Sequence, residues 1–156
     1  MSASSFAHRA AGFGRRLARL SPREIATVGR VVVVLMFVEL LIRWVPLPRL
    51  SRLLGVRLDL TPANLDPVPL PLDAVPAGAR RQLRCARLVA DAWPFSRGPC
   101  LRRALVGGHL IRRLDPAVRI GVSSDGNDVL AHAWLELDDR PLEPVAGFTP
   151  FQQAVR

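Results

Sequence analysis

Lysine and tyrosine are absent from this chain, which has only two cysteines, three histidines and nine aromatic residues among its 156. All 22 basic residues are therefore arginine, a bias that GC-rich coding alone partly produces. The scattered aromatics and the lack of any recognised motif argue against a nucleic-acid-binding surface. Residues 1–14 lack the charged, apolar and cleavage segments of a secretory signal. With a reducing cytoplasm as the expected compartment, two cysteines make no disulfide framework. The longest apolar run, Val31 to Ile42, is interrupted by Glu39 and covers about 12 residues. A bilayer span needs roughly 20, so a buried or partner-binding helix is expected and membrane contact is not. No cysteine–histidine set has zinc spacing. Asp125, Asn127 and Asp128 lack the spacing and final glutamate of a calcium loop. Gly107-Gly108 is no phosphate loop. No internal repeat is present.

The length suits one domain that buries about two-thirds of its unfolded surface. A net charge of +9 favours acidic partners: a peptide, nucleic acid or a lipid surface. Residues 1–18 are small, basic and irregular and read as a disordered tail. Residues 19–58 form a helical segment. Ser21-Pro22-Arg23-Glu24 has an N-cap serine, a first-turn proline and a glutamate at the third position. It predicts a helix from Pro22 to about Trp44, stopped by Pro46 and Pro48, with a short helical turn over Arg49–Leu54 and Gly55 as its stop. Residues 59–76 carry five prolines from Pro62 to Pro76 and read as an extended linker. The core, residues 77–156, begins with a helix over Ala77–Trp93 whose buried side holds Leu83, Ala86, Leu88, Val89 and Ala90. A second helix runs over Cys100–Leu114, with Leu101, Ala104, Leu105, Gly108 and Ile111 on its apolar face. A strand follows at Val118–Val122, then a turn over Ser123–Asn127. A second strand spans Val129–Leu137. Asp138-Asp139 is a tight turn into a third strand, Arg140–Val145, weakened by its prolines. Phe148 and Phe151 are placed to dock on the core. The fold class is α+β.

The chemistry centres on Cys100. The ordinary reading of a free cysteine is a small buried hydrophobe. Here Gly98-Pro99 puts it at a helix start, where unpaired first-turn N–H groups favour a thiolate and can hold an oxyanion. The apolar face of that helix starts at Leu101, not at Cys100. His132 lies 32 residues on, within a strand, on one face with Leu130 and Trp134. A strand histidine is usually structural; strand–helix packing that joins it to Cys100 would make it a base. A third group must orient the imidazole. Asp138 is too far along the same strand, roughly 20 Å away. With a two-residue turn, Leu137 pairs Arg140 and Glu143 falls one diagonal step from His132, about 7–8 Å at the backbone. A three-residue turn would send Glu143 to the opposite face. Cys85 sits mid-helix among apolar neighbours and reads as a core thiol. His109 reads as a packing or surface residue.

Three segments, Cys100-Leu101-Arg102-Arg103-Ala104-Leu105, Arg119-Ile120-Gly121-Val122 and Ala131-His132-Ala133-Trp134-Leu135-Glu136, closely resemble the lasso peptide biosynthesis B2 proteins, over most of the chain. The resemblance implies a papain- and transglutaminase-like core, with a catalytic helix packed on a small antiparallel sheet after the N-terminal helical segment. It implies a cysteine leader peptidase, with Cys100 as nucleophile and His132 as base. The family's usual acid is an aspartate slightly beyond Glu143, where this chain has Pro144; Glu143 is the nearest acid. The implied partners are a precursor peptide, a separate leader-recognition protein (B1-type) and the macrolactam-forming cyclase. The chain before Ser21 is too short to hold a fused recognition element, so the split form is expected. Neither metal nor organic cofactor is expected. The alternative is a non-catalytic peptide-binding module of the same biosynthetic complex. Acyl transfer to an amine instead of water, and a basic nucleic-acid or membrane-surface protein, are further alternatives.

Overall fold

The computed structural model describes residues 20–60, 68–93, 99–125 and 128–150. The expected tail over 1–18 and the docking of Phe151 lie outside these residues. Helix α1 spans Pro22–Leu41. Its start is the expected capping box: the Ser21 hydroxyl accepts from the Glu24 N–H, and the Glu24 carboxylate accepts from the Ser21 N–H at 2.9 Å. Val28, Val31, Leu35 and Val38 are buried where α1 packs on two later helices, α3 (Ala77–Ala92) and α4 (Cys100–Leu110). Each such side chain contributes about 1.5–3 kcal/mol relative to exposure. The other side of α1 carries Val33, Met36, Phe37 and Leu40, all exposed. No helix among the described residues is long and apolar enough to cross a membrane.

Helix α2 (Leu47–Leu53) leads into β1 (Arg57–Leu58). A 3₁₀ turn over Leu72–Ala74 ends the proline-rich stretch. Helix α4 stops at Leu110, earlier than expected. A 3₁₀ turn over Arg112–Leu114 and a left-handed Asp115 redirect the chain. Strands β2 (Ala117–Asp125) and β3 (Asp128–Leu137) pair antiparallel along their length. Ser123 to Asp125 thus belong to the ladder rather than to a turn, because cross-strand pairing overrides their local turn preference. The rest of that expected turn lies outside the described residues. Asp138 and Asp139 both have positive φ, 51° and 58°, the pattern of a type I′ hairpin turn. Leu137 pairs Arg140, as the two-residue turn predicts. Strand β4 is only Arg140–Pro141, shorter than expected because proline cannot donate to the ladder. Past it the Leu142 N–H still bonds the Leu135 carbonyl at 2.9 Å.

The sheet order is β1-β2-β3-β4, with β5 (Thr149–Pro150) also on β2. Strand β1 pairs parallel with β2, so the sheet is mixed instead of purely antiparallel; two-residue strands carry no periodicity to announce themselves. On β3, Ala133 and Leu135 face the main core with Ala104 and Leu105 of α4. A β-carbon at Gly108 would come within 2.8 Å of Val56 and 3.1 Å of Leu135, so glycine there permits the close helix–sheet approach. The described end of the proline-rich stretch, residues 68–76, is anchored. Val75 is buried beside Leu137, and the Leu70 N–H bonds the Pro141 carbonyl at 2.8 Å.

Candidate active site

Cys100 opens α4 and is partly buried. No side chain caps this helix, so its first-turn N–H groups are not claimed by a capping group. The backbone closes its first turn through Arg103 N–H to the Pro99 carbonyl at 2.8 Å. The thiol makes no hydrogen bond among the described residues.

His132 and Glu143 do meet. His132 Nε2 lies 3.3 Å from Glu143 Oε1. The hairpin register brings the carboxylate to the imidazole, as the two-residue turn predicts. Glu143 also accepts two bonds from Arg103 Nη2, at 3.0 and 2.8 Å. Arg103 lies three residues after Cys100, on the same side of the helix one turn along. The link between the cysteine helix and His132 therefore runs through Arg103 and Glu143. Sequence reasoning missed Arg103, because an arginine on a helix with one acid 40 residues away leaves no local signal.

Alternation along β3 puts His132 and Trp134 on the side opposite Ala133 and Leu135. The His132 ring stacks near Trp134, 6.1 Å between centroids, and lies 5.0 Å from Phe148. Phe148 thus docks as expected. Gly121 pairs with His132 across the ladder. A β-carbon at Gly121 would stand 2.7 Å from the Trp134 ring, so its bare backbone makes the ring's place. Trp134 is fully buried and its indole N–H donates to Glu136 at 3.0 Å. Arg119 donates to Glu136 at 2.6 Å and to Asp59 at 3.0 Å. This buried chain, with its charges paired, fixes the plane on which the imidazole rests.

The remaining candidates fall elsewhere. Cys85 is buried in the core, and that burial pushes its thiol pKa up. His109 Nδ1 lies 2.8 Å from the Leu54 carbonyl, tying α4 to the end of α2. On α4, Arg102 bonds Glu39 of α1 at 2.6 and 3.1 Å. Those hydrogen bonds, with the charges of Arg102 and Arg43, hold the Glu39 carboxyl below its ordinary range despite desolvation. This explains the acid inside the apolar run.

Residues 34–155 match the family model of the transglutaminase-like superfamily, and the chain belongs to that superfamily. Searches of the curated proteins and of the solved structures found no significant match.

Proposed function

We propose that this transglutaminase-like chain is a cysteine peptidase that removes the leader from a ribosomally made precursor, in the manner of the lasso peptide biosynthesis B2 proteins. One observation carries the reading: the carboxylate of Glu143 holds His132 Nε2 at 3.3 Å while bound to Arg103, one turn from Cys100. With Nε2 held, Nδ1 is the ring nitrogen left to take the thiol proton. The thiol and the imidazole, not hydrogen-bonded in the free chain, then come into hydrogen-bonding contact in the complex with substrate. The thiolate attacks the carbonyl at the leader–core junction, forming a C–S bond. First-turn N–H groups of α4 stabilise the oxyanion. The C–N bond breaks, and the core's amine leaves with the proton from His132. Water, deprotonated by His132, hydrolyses the leader thioester and regenerates the thiol.

The leader-recognition protein is proposed as a separate partner, and the exposed apolar side of α1 supports its docking there. The released core then passes to the cyclase. The experiment combines this chain, a precursor and the recognition protein. The expected result is a free leader carboxylate and a free core amine, abolished by Cys100→Ala. Cleavage that survives Cys100→Ala ends the nucleophile assignment. A leader joined to an added amine in place of water would reassign the reaction as acyl transfer. Precursor binding without turnover by the native chain would leave a non-catalytic binding module.

A further inference from the structure

A cleft of about 720 Å³ opens between the start of α1, the first three turns of α3, the second turn of α4 and the segment after β4. Arg80, Arg81, Arg84 and Arg87 of α3 line it, and Arg103 and Glu143 stand in its wall. Its other acid, Glu24, is paired with Arg84. Arg103 is committed to Glu143, and Arg87 reaches Asp91 on its own helix at 3.7 Å. Arg80 and Arg81 have no acidic partner among the described residues. Positions 80, 84 and 87 lie along one side of α3 and span about 10 Å, the length of roughly three residues of extended peptide.

We propose that this cleft binds an acidic stretch of the substrate polypeptide, on one side of the bond to be cut. The proposal rests on the peptidase reading for the identity of the polypeptide as substrate. The cleft reaches the Arg103–Glu143 pair beside His132; in the proposal its occupant continues from there toward Cys100 and His132, which do not themselves line it. Arg80 and Arg81 recognise the carboxylates. Leu83, Leu135 and Leu142 give the lining an apolar part that a side-chain-bearing chain fills. Trp134 is the single aromatic among the described residues of that lining, and its ring is fully buried, so those residues offer bases nothing on which to stack. The chain's own residues 1–19 contain four arginines and no acid, so their charge excludes them as the occupant.

The test uses the full chain carrying Cys100→Ala, so that binding is read without turnover. Two fluorescein-labelled peptides serve as probes: one alternating glutamate and serine, one with glutamine in place of glutamate. Anisotropy should give about tenfold tighter binding of the glutamate peptide, weakened by salt. Arg80→Gln with Arg81→Gln should remove most of that advantage; glutamine keeps α3 helical. The remote pair Arg49→Gln with Arg52→Gln should change nothing. Equal binding of both peptides overturns the proposal. So does an equal loss in the remote variant, or an oligothymidylate of matched charge that binds as tightly and responds to the same substitutions. Precursor cleavage by the native chain is scored separately. A peptidase without acidic-peptide binding sinks the cleft alone, and binding without cleavage sinks the peptidase alone.

Discussion

Replacing Glu143 by glutamine removes a charge while keeping the shape. The magnitude follows from the contact itself. A unit charge 3.3 Å from a developing imidazolium stabilises it by about 5 kcal/mol at an effective dielectric of 20, and by about 1.3 kcal/mol in bulk water. His132 and Glu143 are 22% and 28% exposed, so neither limit applies. Arg103, at 2.8 Å, also neutralises part of the carboxylate. A loss of about 1.5–3 kcal/mol is the outcome, a roughly 10- to 150-fold fall in kcat. KM should hardly move, since the imidazolium exists only once the thiol has lost its proton. Glu143→Asp retains the charge but withdraws it by one methylene, and should recover little. The assay is steady-state cleavage of the precursor, with thermal melts to establish that each variant is folded. In a double-mutant cycle, Arg103→Gln should cost much less in the Glu143→Gln background than in the native chain, because its role is to position that carboxylate. A folded Glu143→Gln enzyme within twofold of native kcat would refute the reasoning and leave Glu143 as a structural partner of Arg103.

Three further outcomes follow from the geometry. Iodoacetamide should label Cys100 alone in the native chain and Cys85 only in denaturant, since Cys85 is 1% exposed with its thiol pKa raised by burial; peptide mass analysis showing native labelling of Cys85, or none of Cys100, refutes this. Glu39→Gln should destabilise the fold by about 1.5–3 kcal/mol at pH 7, read from urea melts. Because Arg102 holds the folded Glu39 carboxyl below its ordinary value, its contribution is present above the unfolded value of about 4.3 and fades as pH falls through the folded one; a gap between variant and native that widens in acid would show the sign to be wrong. Gly121→Ala puts a β-carbon 2.7 Å from the buried Trp134 ring and 2.8 Å from the Thr149 carbonyl oxygen; overpacking should cost about 1–3 kcal/mol, and an unchanged Tm rules it out.

What the sequence reveals depends on how local its cause is. Ser21 and Glu24 announce the start of α1 because a capping box closes within four residues. The Asp138-Asp139 turn sets the register that brings Glu143 to His132 because hairpin geometry is a two-residue affair. By contrast β1 and β5, two residues each, exist only because β2 offers them an edge. The apolar run over Val31–Ile42 is a similar case. Read alone it is one hydrophobic helix; in the fold Val31, Leu35 and Val38 are buried while Val33, Met36 and Leu40 are exposed. Arg102 and Arg103 look alike as neighbouring charges. Their different tasks, toward Glu39 and toward Glu143, depend on elements 63 and 40 residues away.

Those two arginines bear on a requirement of the chemistry itself. A helix start that receives an oxyanion must leave its first-turn N–H groups free, and so forgoes a capping side chain, which is worth about 1 kcal/mol. Pro99 supplies none. An uncapped first turn frays readily, yet reaction demands a nucleophile held in place. Arg102 fastens the turn to α1 through Glu39, and Arg103 fastens it through Glu143 to the partner of His132. Successive helical residues point about 100° apart, so the two ion pairs hold the turn from different directions. The side chains thus replace the order that a cap would have given, and they do so without occupying the N–H groups that the proposed reaction would need.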